Sequence, residues 1–253
     1  MSTTTPHARS GEEVVAARET YEGNGAPPAR IFLQPIAAPS ILGLFGFATA
    51  TMMVAGHVAG WYGSVATPLY LFPFAAMFGG LAQFLAGMWS YKARDAVATG
   101  AHGTWGAFWL AYGILYAFVA AGKITLPAPG SSFPELGFWF VMLGAVTGSL
   151  ALAALGENLG VCAVLSTLAA GSILYAIGLF IGSSTWDKVG GWVLAGSAGV
   201  AWYVATAMVL EAAWGRTILP SGKLRKAANV PVAGKPSRPV EYVFGDPGVR
   251  RGQ

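Results

Sequence analysis

The side chains able to do chemistry are few, and they sit in apolar surroundings. Gln83 lies between Gly80 and Gly87, His57 stands near the end of an earlier apolar run, and Glu211 near the end of the last one. Around them are the hydroxyls of Thr49, Thr51, Ser166, Thr167 and Ser197 and the polar edges of Trp and Tyr. Gln83 has two open readings, since a buried amide either bonds across helices or lines a pore. His57 can titrate near neutral pH and couple a proton to transport, or it can be a hydrogen-bonded packing residue beside an interface. Glu211 reads as a solvated helix-end carboxylate, with proton coupling or a structural pair as the alternatives. No Asp, Glu, Lys or Arg falls in the central part of any apolar run, which argues against a pump built on buried carboxylates. A cation would find few ligands here. A small carboxylate could instead be held by backbone NH groups at a helix N-terminus, by hydroxyls and by an indole NH, without a fixed positive charge to trap it.

Catalytic signatures are missing from the sequence: it contains no HExxH, no P-loop and no GxSxG. With three separated histidines and the single Cys162, it offers no disulfide and no metal-ligand cluster. The expectation is a non-enzyme without metal or cofactor.

The elements that must position these residues follow from composition. Of the 253 residues, 55% are hydrophobic and 10% charged, against about a quarter charged in soluble domains. So much apolar surface calls for lipid as solvent. A hydrocarbon core about 30 Å thick is crossed by roughly 20 helical residues. Six runs of that length are expected near 40–62, 66–90, 104–126, 136–156, 161–183 and 191–213. Strands are excluded because the runs lack barrel alternation, and an open edge in lipid leaves backbone groups unpaired. The predicted fold class is therefore an all-α integral membrane protein, a six-transmembrane-helix bundle.

Three segments are expected. Residues 1–38 form a polar tail without the apolar core of a signal peptide, 39–220 the six-helix transmembrane region, and 221–253 a basic, proline-containing tail. Both tails read as disordered. Arg30, Lys92, Arg94, Arg216, Lys223, Arg225 and Lys226 gather on one side of the spans and only Lys123 and Lys188 on the other, which places both termini in the cytoplasm. The same distribution assigns the basic pI of about 9.3 to topology rather than to nucleic acid, and leaves the second tail two readings, a topological anchor without specific binding or a segment that touches the anionic surface of the lipid bilayer. Small residues four apart, Gly56 and Gly60, Ala82 and Ala86, Gly144 and Gly148, Gly178 and Gly182, Ala195 and Gly199, predict close helix packing. Pro39 ahead of Ser40, Leu42, Gly43 and Leu44 marks a helix start, either an ordinary one or one set part-way into the membrane and facing an anion.

Several local patterns agree in order: Ala38-Pro39-Ser40-Ile41-Leu42-Gly43-Leu44 with Gly46-Phe47, Gly79-Gly80-Leu81-Ala82-Gln83 with Ala86-Gly87, Trp105-Gly106-Ala107-Phe108-Trp109, and Trp214-Gly215-Arg216-Thr217-Ile218-Leu219-Pro220. Together they resemble the acetate uptake transporter family, of the succinate-acetate permease type, over residues 38–220. The resemblance implies a homohexamer of six-helix protomers in the cell membrane. Each protomer would pass acetate and related short mono- and dicarboxylates, succinate among them, by a channel-like or proton-linked symport route. It also implies an apolar constriction at Phe47, Trp105 and Leu168, with Leu168 and Ala201 tuning substrate size. Two departures stand out. Ala38, Ser40 and Ile41 replace residues of the family's N-P-A-P-L-G-L signature, and Trp105 replaces a tyrosine, exchanging a hydroxyl that donates and accepts for a donor-only indole. The rival readings are an ammonia or ammonium exporter, suited to an aromatic cage, and a membrane sensor or scaffold acting through the basic tail.

Overall fold

Prolines and capping residues set the helix starts in this computed structural model, which describes residues 36–224. Helix α1 is Pro39–Val58. Helix α2 is Thr67–Ala93, α3 is Ala96–Ala120 and α4 is Pro134–Ala154. Helix α5 is Leu159–Ile181 and α6 is Ser184–Trp214. All six are long and apolar enough to cross a membrane, and no named strand occurs among the described residues. Helices α1 and α4 begin on prolines, where the missing N–H is no loss. Helix α3 is capped by Asp95, whose Oδ1 accepts from the Ala98 amide at 2.8 Å, and α5 by Asn158, whose Oδ1 accepts from Gly160 and Val161.

Two of the expected starts lie well inside the helices. The third span was expected from 104 but begins at Ala96, and the sixth from 191 but begins at Ser184. In the sixth, an apolar window stops at Lys188 and Asp187, whereas the helix continues through them, because an acidic residue in its first turn is favoured by the dipole and the free amides. In the third, the small and polar residues 96–103 lower the hydropathy, and the Asp95 cap sets the start. The first span ends at Val58 rather than near 62, where the chain turns through Gly60 at φ +81°. Only two residues join α2 to α3, with Arg94 in the left-handed region, and only two join α5 to α6, with Gly182 doing the same.

Helix α2 is not uniform. Pro73 lies inside it, and Ala76–Ala82 winds as a π-helix before α-helical geometry resumes at Gln83. A wider turn advances the register of everything after it, a device common at functional sites. Here it turns Gln83, 2% exposed, into the interior.

The helices close a ring in chain order, with α6 packed back on α1. The backbone of α5, flanked by α4 and α6, stays more than 8 Å, Cα to Cα, from those of α1 and α3. Side chains alone bridge that seam. Close approaches between backbones are made by one of the expected glycines, Gly178, where a Cβ would fall 2.7 Å from the Asp187 nitrogen, and by others outside the expected pairs. A Cβ on Gly87 would fall 2.7 Å from the Gly103 nitrogen, on Gly106 2.6 Å from that of Phe84, and on Gly190 2.7 Å from that of Tyr175. By contrast, Gly148 has open space around it, and Gly60 and Gly182 serve turns. Spacing four apart places small residues on one face but does not say what that face meets.

After α6 the chain returns across the α4–α5 turn. Leu159 and Gly160 donate to the carbonyls of Gly222 and Ser221 at 3.0 Å, satisfying free amides at the start of α5, and Tyr203 Oη donates to the Pro220 carbonyl. Ser221–Leu224 of the expected tail is thus part of the described fold. The remainder of both tails, with Arg30, Arg225 and Lys226, lies outside the described residues.

Candidate functional site

Phe47 stands eight residues into α1, Trp105 nine into α3 and Leu168 nine into α5. At about 1.5 Å per residue the three lie roughly 12 to 14 Å from the same ends of three helices that run in one direction. They form one layer across the seam. Each is only 2–3% exposed, and all three line a single cavity with Leu44, Gln83, Ala101, His102, Val164 and Leu165. Its volume is about 20 Å³, enough for roughly one water molecule. The passage is therefore closed here to anything larger.

The walls are mostly apolar and aromatic. Phe47 meets Trp105 edge-on at 6.1 Å between ring centroids, and Trp105 meets Phe108 in the same way at 5.4 Å. Phe108 then contacts Phe140, and Phe140 contacts Tyr175, so an aromatic ladder reaches from α1 through α3 and α4 to α5. Trp105 Nε1 donates to Thr147 Oγ1 at 2.9 Å, and Thr147 is fully buried on α4. The donor that the indole carries in place of a tyrosine hydroxyl is thus already used, and the ring presents its apolar surface. Replacing Thr147 by Val is expected to leave that N–H unpaired in the bundle at a cost of about 1–2 kcal/mol. A thermal melt of the purified protein in detergent checks this, and an unchanged Tm would show that the bond contributes nothing.

Gln83 and His102 in the cavity wall hold polar atoms that are buried without a partner, Gln83 Oε1 and His102 Nδ1. His102, 4% exposed, lies flat against α1, where a Cβ on Gly43 would fall 2.5 Å from its Cε1. His102 was absent from the expected site because a third span begun at 104 leaves it in a loop. Asp95 was the signal available in the sequence: read as a helix cap, it carries α3 back far enough to place His102 one turn before Trp105, on the same face. Thr147 gave no such signal, since nothing in the sequence pairs it with a residue 42 positions away. Thr51 Oγ1 and Trp109 Nε1, one turn further along α1 and α3, are likewise buried and unpartnered.

The other expected residues lie elsewhere. His57 is at the last turn of α1, partly exposed, with Nδ1 3.2 Å from the Tyr62 carbonyl, ten residues beyond Phe47. Glu211 pairs with Lys223 near the end of α6, and both are partly exposed. Neither lines the cavity. Ala201 is fully buried in the same core as Leu168 and Val164 but does not line the cavity. In the helix-start motif, Pro39 opens α1, and Ser40, Gly43 and Leu44 are buried while Leu42 is half exposed. Ala38 precedes the helix without a side-chain cap. With 20 residues α1 reaches about 30 Å, a hydrocarbon thickness by itself.

Residues 22–225 match the GPR1/FUN34/yaaH family. The chain is 30% identical over 198 residues to the succinate-acetate/proton symporter SatP of Escherichia coli, a match covering 74% of this chain and 96% of that protein. It is 28% identical over 187 residues to the ammonia transport outward protein 2 of Saccharomyces cerevisiae, across 72% of this chain and 64% of that one. A solved structure of the bacterial acetate channel SatP superposes with a TM-score of 0.67 at 27% identity, covering 74% of this chain and 99% of the other. The ordered motifs, the six-helix ring and these matches agree: this multi-pass membrane protein belongs to the GPR1/FUN34/yaaH family.

Proposed function

We propose that this protein carries acetate and related short mono- and dicarboxylates, including succinate, across the cell membrane through an apolar constriction in each protomer, with a proton accompanying the substrate. No chemical step is involved. One observation carries the reading: Phe47, Trp105 and Leu168 form a layer at one depth in the seam, and no charged side chain lines the cavity they share. A carboxylate in a low-dielectric core is costly, and a short neck between wetter ends confines that cost to a few ångströms. Apolar constrictions of this type gate by dewetting. The names carried by the similar proteins, a succinate-acetate/proton symporter and an acetate channel, support the substrate class. We further propose a homohexamer with both termini in the cytoplasm, on the strength of the family resemblance and the bias of Lys and Arg toward one side.

Uptake of labelled acetate into proteoliposomes tests the proposal. Flux above that of empty vesicles is expected, rising when the side opposite the substrate is made alkaline. No flux of acetate or any other short carboxylate would overturn it. A relative named as an ammonia transport outward protein gives a second reading, and lack of competition between methylammonium and acetate would set that reading aside. Removing residues 225–253 should leave flux unchanged if the tail is not the seat of function.

A further inference from the structure

Past the neck, toward the end of the bundle opposite the termini, tyrosines replace the apolar side chains of the seam. Tyr112 follows Trp105 on α3 by seven residues, and Tyr175 follows Leu168 on α5 by seven, so each lies two turns further along a face that supplies the neck. Tyr116 stands one turn beyond Tyr112, with 4.5 Å between the ring centroids. Tyr175 touches Phe140 of the aromatic ladder at 4.9 Å, and its phenol is within electrostatic reach of Tyr116 and Tyr112 across the seam. All three tyrosines are partly exposed, so solutes reach this end of the passage although the neck is closed.

Asp187 joins them from α6. Gly190 backs onto Tyr175, and Asp187, one turn earlier on α6, backs onto Gly178. Tyr175 and Gly178 are three residues apart on one face of α5, so the carboxylate lies beside the phenol, and the two interact electrostatically. Asp187 Oδ1 is buried against the side-chain-free face of Gly178 with no hydrogen-bond partner, while the residue as a whole stays partly exposed. A carboxylate in a first turn ordinarily accepts from the free amides there, but this oxygen accepts from none. The neighbouring titratable groups are engaged or point elsewhere. On α6, Lys188 reaches over Gly60; at the end of α1, His57 Nδ1 faces the Tyr62 carbonyl, and Tyr62 Oη donates to the Met53 carbonyl. Lys123 and Glu135 are exposed between α3 and α4 and at the start of α4.

We propose that Tyr112, Tyr116 and Tyr175 form an entry subsite for the substrate carboxylate, and that Asp187 gates this subsite by its charge. The inference rests on the transport reading above. Phenol O–H groups donate to a carboxylate without a fixed positive charge that would trap it. An ionised Asp187 beside Tyr175 repels that carboxylate and competes for the same donors. Once Asp187 has taken a proton from water it is neutral, and the carboxylate docks. Docking of one carboxylate is thereby linked to uptake of one proton at the mouth of the passage.

Exchange of labelled acetate across proteoliposomes of the full chain, at equal pH on both faces, reads this link whichever way the protein is inserted. Flux through protein-free vesicles is subtracted. The KM for acetate ion is expected to fall about tenfold between about pH 7 and about pH 5, with little change in maximal flux. Asp187→Asn should hold the low KM at every pH, and Asp187→Glu, which keeps an ionisable group, should keep the dependence. Tyr175→Phe should raise KM about fivefold at every pH and leave the slope as it was. A carboxylate that only steadies the start of α6 would change Tm but not the slope of KM against pH. A KM of the unsubstituted protein that does not move with pH would overturn the charge gate without any variant having to fold, as would an Asp187→Asn protein that keeps the original slope. An unchanged KM in Tyr175→Phe would overturn the tyrosine subsite. Vesicles that exchange no acetate at any pH would overturn the transport reading itself.

Discussion

Replacing Leu168 by Ala is expected to raise the ratio of succinate to acetate flux about tenfold, equivalent to roughly 1.4 kcal/mol of barrier. The side chain is 2% exposed and is α5's contribution to the layer it shares with Phe47 and Trp105. The cavity beside it, of about 20 Å³, admits little more than a water. Because α5 approaches α1 and α3 through side chains alone, truncation enlarges the passage without a backbone behind it to fill the space. The surrounding Val164 and Leu165 lose packing, and a stability cost of about 2 kcal/mol accompanies the gain in range. Measuring the two fluxes in the same vesicle preparation decides the matter. An unchanged ratio would remove Leu168 from the constriction.

A single methyl group at Gly46 should do more damage than the loss of that leucine. A Cβ at this position would overlap the carbonyl oxygen of Phe78, an atom of the π-helical turn in α2. A flexible side chain could swing aside, but a backbone carbonyl held in a helix cannot. Gly46→Ala is therefore expected to cost about 3 kcal/mol, at the high end for overpacking, and to lower the Tm by about 10 °C. Transport should fall as well, since the turn that would be pushed away is the one that directs Gln83 into the seam. A melt together with the acetate assay reads both effects, and a variant with wild-type Tm and flux would show that α1 and α2 are not packed as closely as described.

Much of the fold is legible in the order of residues along the chain. Runs of about twenty apolar residues without charge can be solvated only by lipid, and in lipid they must be helical, so number, class and rough placement of the spans follow from hydropathy. The ends are less legible, because capping is a matter of one or two side chains. Asp95 carries α3 eight residues before the expected start, and His102 enters the wall of the cavity with it. For the site, the family resemblance implies Phe47, Trp105 and, outside any motif, Leu168, and the glycine-flanked position singles out Gln83; these four share one cavity wall. The same reasoning makes His57 and Glu211 pathway candidates on residue type alone. Type does not report depth, and both lie near helix ends, with Glu211 paired to Lys223.

The sequence by itself determined that this is a helical membrane protein with a nearly uncharged interior, because solvation by lipid depends on composition along the chain. The tertiary structure decided what that interior does. It spent the Trp105 donor on Thr147, turned Gln83 inward through a π-helical turn, and seated His102 on Gly43. Each of these depends on the packing of segments far apart in the chain, through hydrogen bonds and steric exclusion a few ångströms in range, and neither periodicity nor composition records such distances.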